Sequence, residues 1–188
     1  MADPGARTVG RTAIEETSAA DQRRLLAAAA FFAVAVLIHN FDHLRRGGGS
    51  VSAGVFWVGS AAIIVEVLVV VLAFARHPLA PLTAASAGFG LAAGYLFVHF
   101  TPHRSFLSDS LVRGNASPLS IFAALVETVA ALTIALVGVG ILRRQHSGLA
   151  SAPDDPGHAG LVRALRNPVV AVMIAGNVVI FLGSIATR

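Results

Sequence analysis

The chain has 188 residues, 55% of them hydrophobic and only 13% charged, with a formal net charge of +4 at pH 7. That charge is too sparse to solvate an ordinary soluble domain, and several apolar runs reach the roughly 20 residues that cross a bilayer core. The absence of cysteine excludes a disulfide framework and a thiolate metal site. The arginines cluster at the ends of apolar runs, where they anchor to lipid headgroups and not to nucleic acid.

The fold class expected is an all-α integral membrane protein of five transmembrane helices. Residues 1–23 are polar and small, lack a periodic apolar face, and read as a flexible tail. This segment is too long and too acidic for the n-region of a signal peptide, so the first span is expected to be retained. Residues 24–142 read as a four-helix membrane bundle. Its first span covers about residues 25–43, before Arg45, Arg46 and a glycine-rich hairpin at residues 47–50. The second covers about residues 55–75, with Trp57 at the interface and Arg76-His77-Pro78 as its stop. The third covers about residues 82–103; small residues such as Ala84, Ala85 and Gly88 permit close helix contact. After a polar loop, Ser117-Pro118 reads as an N-cap with proline at the first helical position, opening the fourth span at residues 118–142. Residues 143–167 form a polar connection. Leu161, Val162 and Leu165 face Arg163 and Arg166 there in the pattern of a short interfacial helix. Residues 168–188 form the fifth span, with Asn177 as an interhelical hydrogen-bonding residue.

Five spans put the termini on opposite sides. Arg7, Arg11, Arg23, Arg24, Arg76, Arg143, Arg144, Arg163 and Arg166 collect on one side; Arg45, Arg46, Arg104, Arg113 and Arg188 collect on the other. The excess predicts a cell-membrane protein with a cytoplasmic N-terminus and an outside C-terminus.

One pattern occurs twice. His39 and His43 close the first apolar stretch and Glu66 sits inside the second; His99 and His103 close the third and Glu127 sits inside the fourth. The steps from the second histidine to the glutamate are 66 − 43 = 23 and 127 − 103 = 24 residues. The spans therefore read as a tandem pseudo-repeat, with halves at about residues 24–76 and 82–142, related by an axis along the membrane normal.

Histidines four apart project from one helix face. An intramembrane carboxylate costs about 2.5 kcal/mol or more on insertion scales and needs a partner. A lone histidine at a membrane edge is ordinarily an interfacial group, and a lone buried glutamate is ordinarily neutral and hydrogen-bonded. The doubled set points instead to a metal site of His39, His43, Glu66, His99, His103 and Glu127, open to the outside. Nitrogen and oxygen donors favour iron or zinc, with copper as a third option, and one or two ions fit the donor count. Asp42 is a candidate acceptor for an imidazole N–H in the outer shell. Pro102 is expected to kink the third helix. His77, His146 and His158 read as solvated.

The functions that follow are a metal-dependent oxidoreductase, with a lipid-soluble substrate, or a metal-handling protein. Two rivals use the same residues. A b-type haem would take His39 and His99 as axial ligands. A non-catalytic membrane subunit would use Glu–His pairs as a proton relay. Nucleotide-binding loops and the common zinc-protease and serine-hydrolase motifs are missing. The partners expected are the lipid bilayer and a membrane protein or second copy of the chain, with no nucleic acid.

Overall fold

The computed structural model describes residues 4–102, 105–114, 116–147 and 167–168. Helices α1 (Pro4–Arg46), α2 (Ala53–Phe74), α3 (Ala80–Phe100) and α4 (Pro118–Ser147) carry the fold, with one 3-10 turn at Gly48–Ser50. No strand occurs among the described residues. Four segments are long and apolar enough to cross a membrane: Ala19–Arg46, Ala53–Phe74, Ala80–Phe100 and Pro118–Arg144. Most of the proposed fifth span lies outside the described residues, as do the interfacial segment at residues 161–166, His103, Arg104, His158 and Asn177.

The polar N-terminal segment, expected as a tail, is helical from Pro4 and runs on into the first span. The fourth helix also continues past the expected end, through Arg143 and Arg144 to Ser147.

Local chemistry sets the remaining boundaries. Ser52 caps α2, its Oγ accepting from the Val55 N–H at 3.1 Å. At the other end, Arg76 N–H donates to Ala73 O at 3.1 Å and His77 N–H to Leu72 O at 3.0 Å. This is the paired bonding of a Schellman stop, and Arg76 adopts the left-handed φ of 55° that the stop requires. Ser117 caps α4 as its sequence predicts, accepting from the Ser120 N–H at 3.2 Å. The expected kink at Pro102 does not occur. Helix α3 ends at Phe100, because the residue before a proline is driven out of the helical region; Thr101 is extended, with ψ 142°.

Each helix packs against its chain neighbours, and α4 closes the ring against α1. Leu25, Ala28, Ala29, Phe32 and Val36 form the buried stripe of α1. It shares its core with Ala130, Ala131, Ile134 and Ile141 of α4. Helices α3 and α4 approach closely because small residues line their seam. A Cβ on Gly88 would stand 2.7 Å from the Ala131 carbonyl oxygen, and one on Gly138 would stand 2.6 Å from that of Pro81. Opposite the site, Arg144 ties α4 to α1 through two bonds to Asp21, at 2.7 and 2.9 Å. The outer face is apolar, with Phe41, Trp57, Ile64, Phe122 and Leu136 all exposed, as a lipid-facing surface should be.

Candidate metal centre

The C-terminal ends of α1 and α3, the N-terminal half of α4 and α2 from its start to just past its middle meet at one end of the ring. Helical spacing puts His39 and His43 on one face of α1, their Nε2 atoms 2.9 Å apart. His99 arrives from α3, and its ring meets that of His39 edge to face, with centroids 4.8 Å apart at 68°. One ligand atom from each of the three imidazoles lies within 4.8 Å of the others. His39 and His99 are buried and His43 is half-buried. From α4, the Glu127 carboxylate brings Oε2 to 3.6 Å from His39 Nε2, with both side chains buried. From α2, Glu66 Oε1 accepts a 2.5 Å hydrogen bond from the Tyr95 hydroxyl.

An ion about 2.0–2.1 Å from imidazole nitrogens has tetrahedral ligand atoms about 3.4 Å apart. The His39–Glu127 separation is already close to that edge length. Closing the three imidazoles around an ion takes side-chain rotations of about an ångström. Among the described residues five buried side-chain atoms have no hydrogen-bond partner, three of them at the cluster (His39 Nδ1, Glu66 Oε2 and Glu127 Oε2) and two in the layer around it (Arg46 Nε and Ser110 Oγ). Such orphans are uncommon in a settled interior, and they suit a site that takes up something further. Axial imidazoles of a b-type haem stand on opposite faces of the macrocycle, whereas the His39 and His99 rings here meet edge to face.

A second layer orients the imidazoles. His99 Nδ1 lies 3.2 Å from the Asp109 carbonyl oxygen and 3.4 Å from Asp109 Oδ2. This turns the other ring nitrogen toward the cluster. The loop is pinned there because Asp109 and Leu111 donate their backbone N–H groups to Val98 O (3.2 Å) and His99 O (2.8 Å), satisfying the last turn of α3. Across the loop, Phe106 O accepts from Ser52 Oγ at the start of α2.

Arg46 clamps this layer. It donates to both carboxylate oxygens of Asp109, at 3.0 and 2.7 Å. Its Nε lies 3.1 Å from Asp42 Oδ2, off the hydrogen-bonding direction. Burial would raise the Asp109 carboxyl above its usual range. The His99 and Arg46 hydrogen bonds and the guanidinium charge outweigh that and hold it well below. Arg46 Nη2 also lies 2.8 Å from His43 Nδ1. A guanidinium only donates, so His43 Nδ1 accepts and its proton sits on Nε2, directed at His39 Nε2. His39 then carries its own proton on Nδ1. For His43 to ligate through Nε2 that proton must leave, and Arg46 must turn toward its two carboxylates.

Of the residues singled out in the sequence, His39, His43, Glu66, His99 and Glu127 all border one cavity. His103 lies outside the described residues. Asp42 faces Arg45 and Arg46, with Arg45 Nη2 at 2.7 Å and Nε at 3.0 Å from its Oδ1. Arg45 Nη2 also reaches Ser117 Oγ at 3.0 Å and Ser120 Oγ at 3.2 Å. Beside the His99 imidazole, the loop carboxylate is that of Asp109. Periodicity missed Asp109, Arg46 and Tyr95. The available signals were the lone acid in the loop before Ser117, and the only tyrosine of the chain, four residues before His99 on the same helix face.

No protein-family model, curated protein or solved structure matches this chain.

Proposed function

We propose that this multi-pass membrane protein binds one metal ion through His39, His43 and His99, with Glu127 as the fourth donor. The observation that carries the reading is the meeting of three imidazoles from two helices within 4.8 Å of one another, with a buried carboxylate at 3.6 Å. Zinc or iron suits this mixed nitrogen and oxygen set, and copper is the third option. Glu66, paired with Tyr95, supplies a second carboxylate at the same cavity and helps balance the charge of an ion. The ion would polarise or exchange electrons with a bound molecule. The chain's own residues would orient that molecule, exclude water and hold protons at Glu66 and at His39 Nδ1. A pocket of apolar walls beside the cluster favours a metal-dependent oxidoreductase over a metal-handling protein, since a transfer site needs a polar exit.

The pseudo-repeat supports the same reading, because His39 with Glu66 from one half and His99 with Glu127 from the other converge on one cavity. The arginine distribution supports a cytoplasmic N-terminus in the cell membrane, with the histidine end outside. The bilayer is the partner that the exposed apolar surface fits; a membrane protein or second copy would use that same surface.

Metal analysis of protein purified without chelator tests the proposal. One equivalent of metal is expected in the wild type and background metal in His39→Ala and His99→Ala. The chain from Arg46 to His43 to His39 favours a second reading, a proton relay. Metal-free wild type whose melting temperature does not respond to added zinc or iron would select that relay.

A further inference from the structure

A cavity of about 300 Å³ adjoins the histidine cluster, bordered by all four helices, α4 through Glu127, and by the two connections at that end. We propose that it binds a membrane-dissolved amphiphile with an apolar body and a compact hydroxyl-bearing head. The inference names the substrate class of the proposed metal centre and rests on that reading for its chemical meaning. Ligand binding itself is measured apart from metal content.

The walls are apolar, including Val58, Ala62 and Ile63 of α2 and Leu91 and Val98 of α3. Three glycines, Gly59 on α2 and Gly90 and Gly94 on α3, border the same space. A Cβ built on any of them meets nothing within 4 Å. They differ in this from Gly88 and Gly138, where a Cβ would strike backbone of a neighbouring helix. The packing glycines let helices touch; the cavity glycines keep a gap open. Val58, Gly59, Gly90 and Gly94 are exposed, and all lie within the segments Ala53–Phe74 and Ala80–Phe100 that cross the membrane. The mouth between α2 and α3 therefore opens toward lipid. Ser50, Val51 and Leu107 border the cavity from the connections at its water-facing end. A ligand entering by this mouth must be soluble in the bilayer. The volume lies at the small end of ordinary ligand sites.

The inner end is polar. Glu66 and Glu127 border the cavity at 2% and 1% exposure; Glu127 Oε2 faces His39, and Glu66 leaves its own Oε2 without a hydrogen bond for the head to meet. A hydroxyl suits either protonation state, donating to a carboxylate or accepting from a carboxylic acid, and is the most compact head that does so. Two carboxylates disfavour an anionic head. Phenolic and aliphatic alcohols share the required chemistry, and the test separates them.

The full-length chain in lipid nanodiscs would be equilibrated with 4-hexylphenol, 1-decanol, 4-hexylanisole or decylammonium, and retention compared with that of empty discs. Retention of the phenol or the alcohol, roughly tenfold or more above the anisole, is expected. The better retained of the two identifies the head. Gly94→Leu and Gly59→Leu enter the space from opposite walls, at positions where an added Cβ meets nothing within 4 Å, and each should abolish the excess while metal content is unchanged. Circular dichroism confirms that both variants fold. Equal retention of the anisole, retention of decylammonium alone, or wild-type retention no greater than that of empty discs would overturn the proposal. So would full retention in both leucine variants. Hydroxyl-dependent retention in metal-free protein would remove the metal reading and leave the binding site standing; bound metal without retention would do the reverse.

Discussion

At the scale of single residues, the two glutamates each sit inside an apolar run but hold unlike places in the site. Glu127 sits 3.6 Å from His39 Nε2, whereas Glu66 is engaged by Tyr95 at 2.5 Å. Glu127→Gln preserves size and removes the charge next to the imidazoles, so it is expected to lower metal affinity by about 10–100-fold or more. Glu66→Gln should lower it less. Metal titration of the two variants checks the order, and equal losses would place both carboxylates on the ion. Asp109 acts one layer out. In Asp109→Asn the anion facing both Arg46 and His99 is lost, and Arg46 keeps only Asp42 and His43. A 10–100-fold loss of affinity by isothermal titration is expected, with helix content unchanged. The sign of the pH dependence follows from the depressed Asp109 carboxyl. Its stabilising contribution is fully present above the ordinary carboxylate range and is lost only as pH falls through the lower folded value. The melting-temperature difference between wild type and Asp109→Asn should therefore stay constant between about pH 5 and pH 8.

At the scale of elements, α3 carries two classes of glycine within one turn or two. Gly88 faces α4, where a Cβ would be 2.7 Å from Ala131 O and 2.9 Å from Ala135 Cβ. Gly90 faces open space. Gly88→Val must push α3 off α4, and overpacking of this kind typically costs about 1–3 kcal/mol. Gly138→Val should behave likewise from the α4 side. Gly90→Ala is expected to be neutral or stabilising by up to about 1 kcal/mol, since alanine is the better helix former. Chemical or thermal unfolding in detergent compares the three; similar losses in all of them would mean that the α3–α4 seam does not depend on close approach. The end of α3 matters equally. Stopping at Phe100 frees the chain to turn back, so that Asp109 and Leu111 cap the helix that carries His99.

At the scale of the whole molecule, the proposed topology puts the α1–α2 and α3–α4 connections outside and the α2–α3 connection in the cytoplasm. The chain has no cysteine, so single substitutions report without background. Ser50→Cys and Gly114→Cys, both at exposed positions, should react with an impermeant maleimide on intact cells, and Pro78→Cys only after lysis. The opposite labelling pattern would invert the protein and leave its internal packing untouched. The Asp21–Arg144 pair would then close the cytoplasmic end in the proposed orientation and the outer end in the inverted one.

The sequence by itself determined the membrane class, the four described crossing segments and the helix start at Ser117. These follow from run length, composition and capping groups, all of which act between near neighbours in the chain. It also singled out the histidines and glutamates, because ionisable groups in apolar runs stand out wherever they fold. Tertiary structure decided which of them meet. His39 and His99 are 60 positions apart, and only the packing of α3 and α4 beside α1 fixes their 4.8 Å ring contact. The same packing recruits Arg46 and Asp109, which look like ordinary loop charges until the α3–α4 connection folds back over the histidine end. Tyr95 likewise gains its role only when α2 presents Glu66 to it. The cavity is the furthest from the sequence: glycines are legible as residues, but whether one lets two helices touch or keeps them apart depends on what stands across from it.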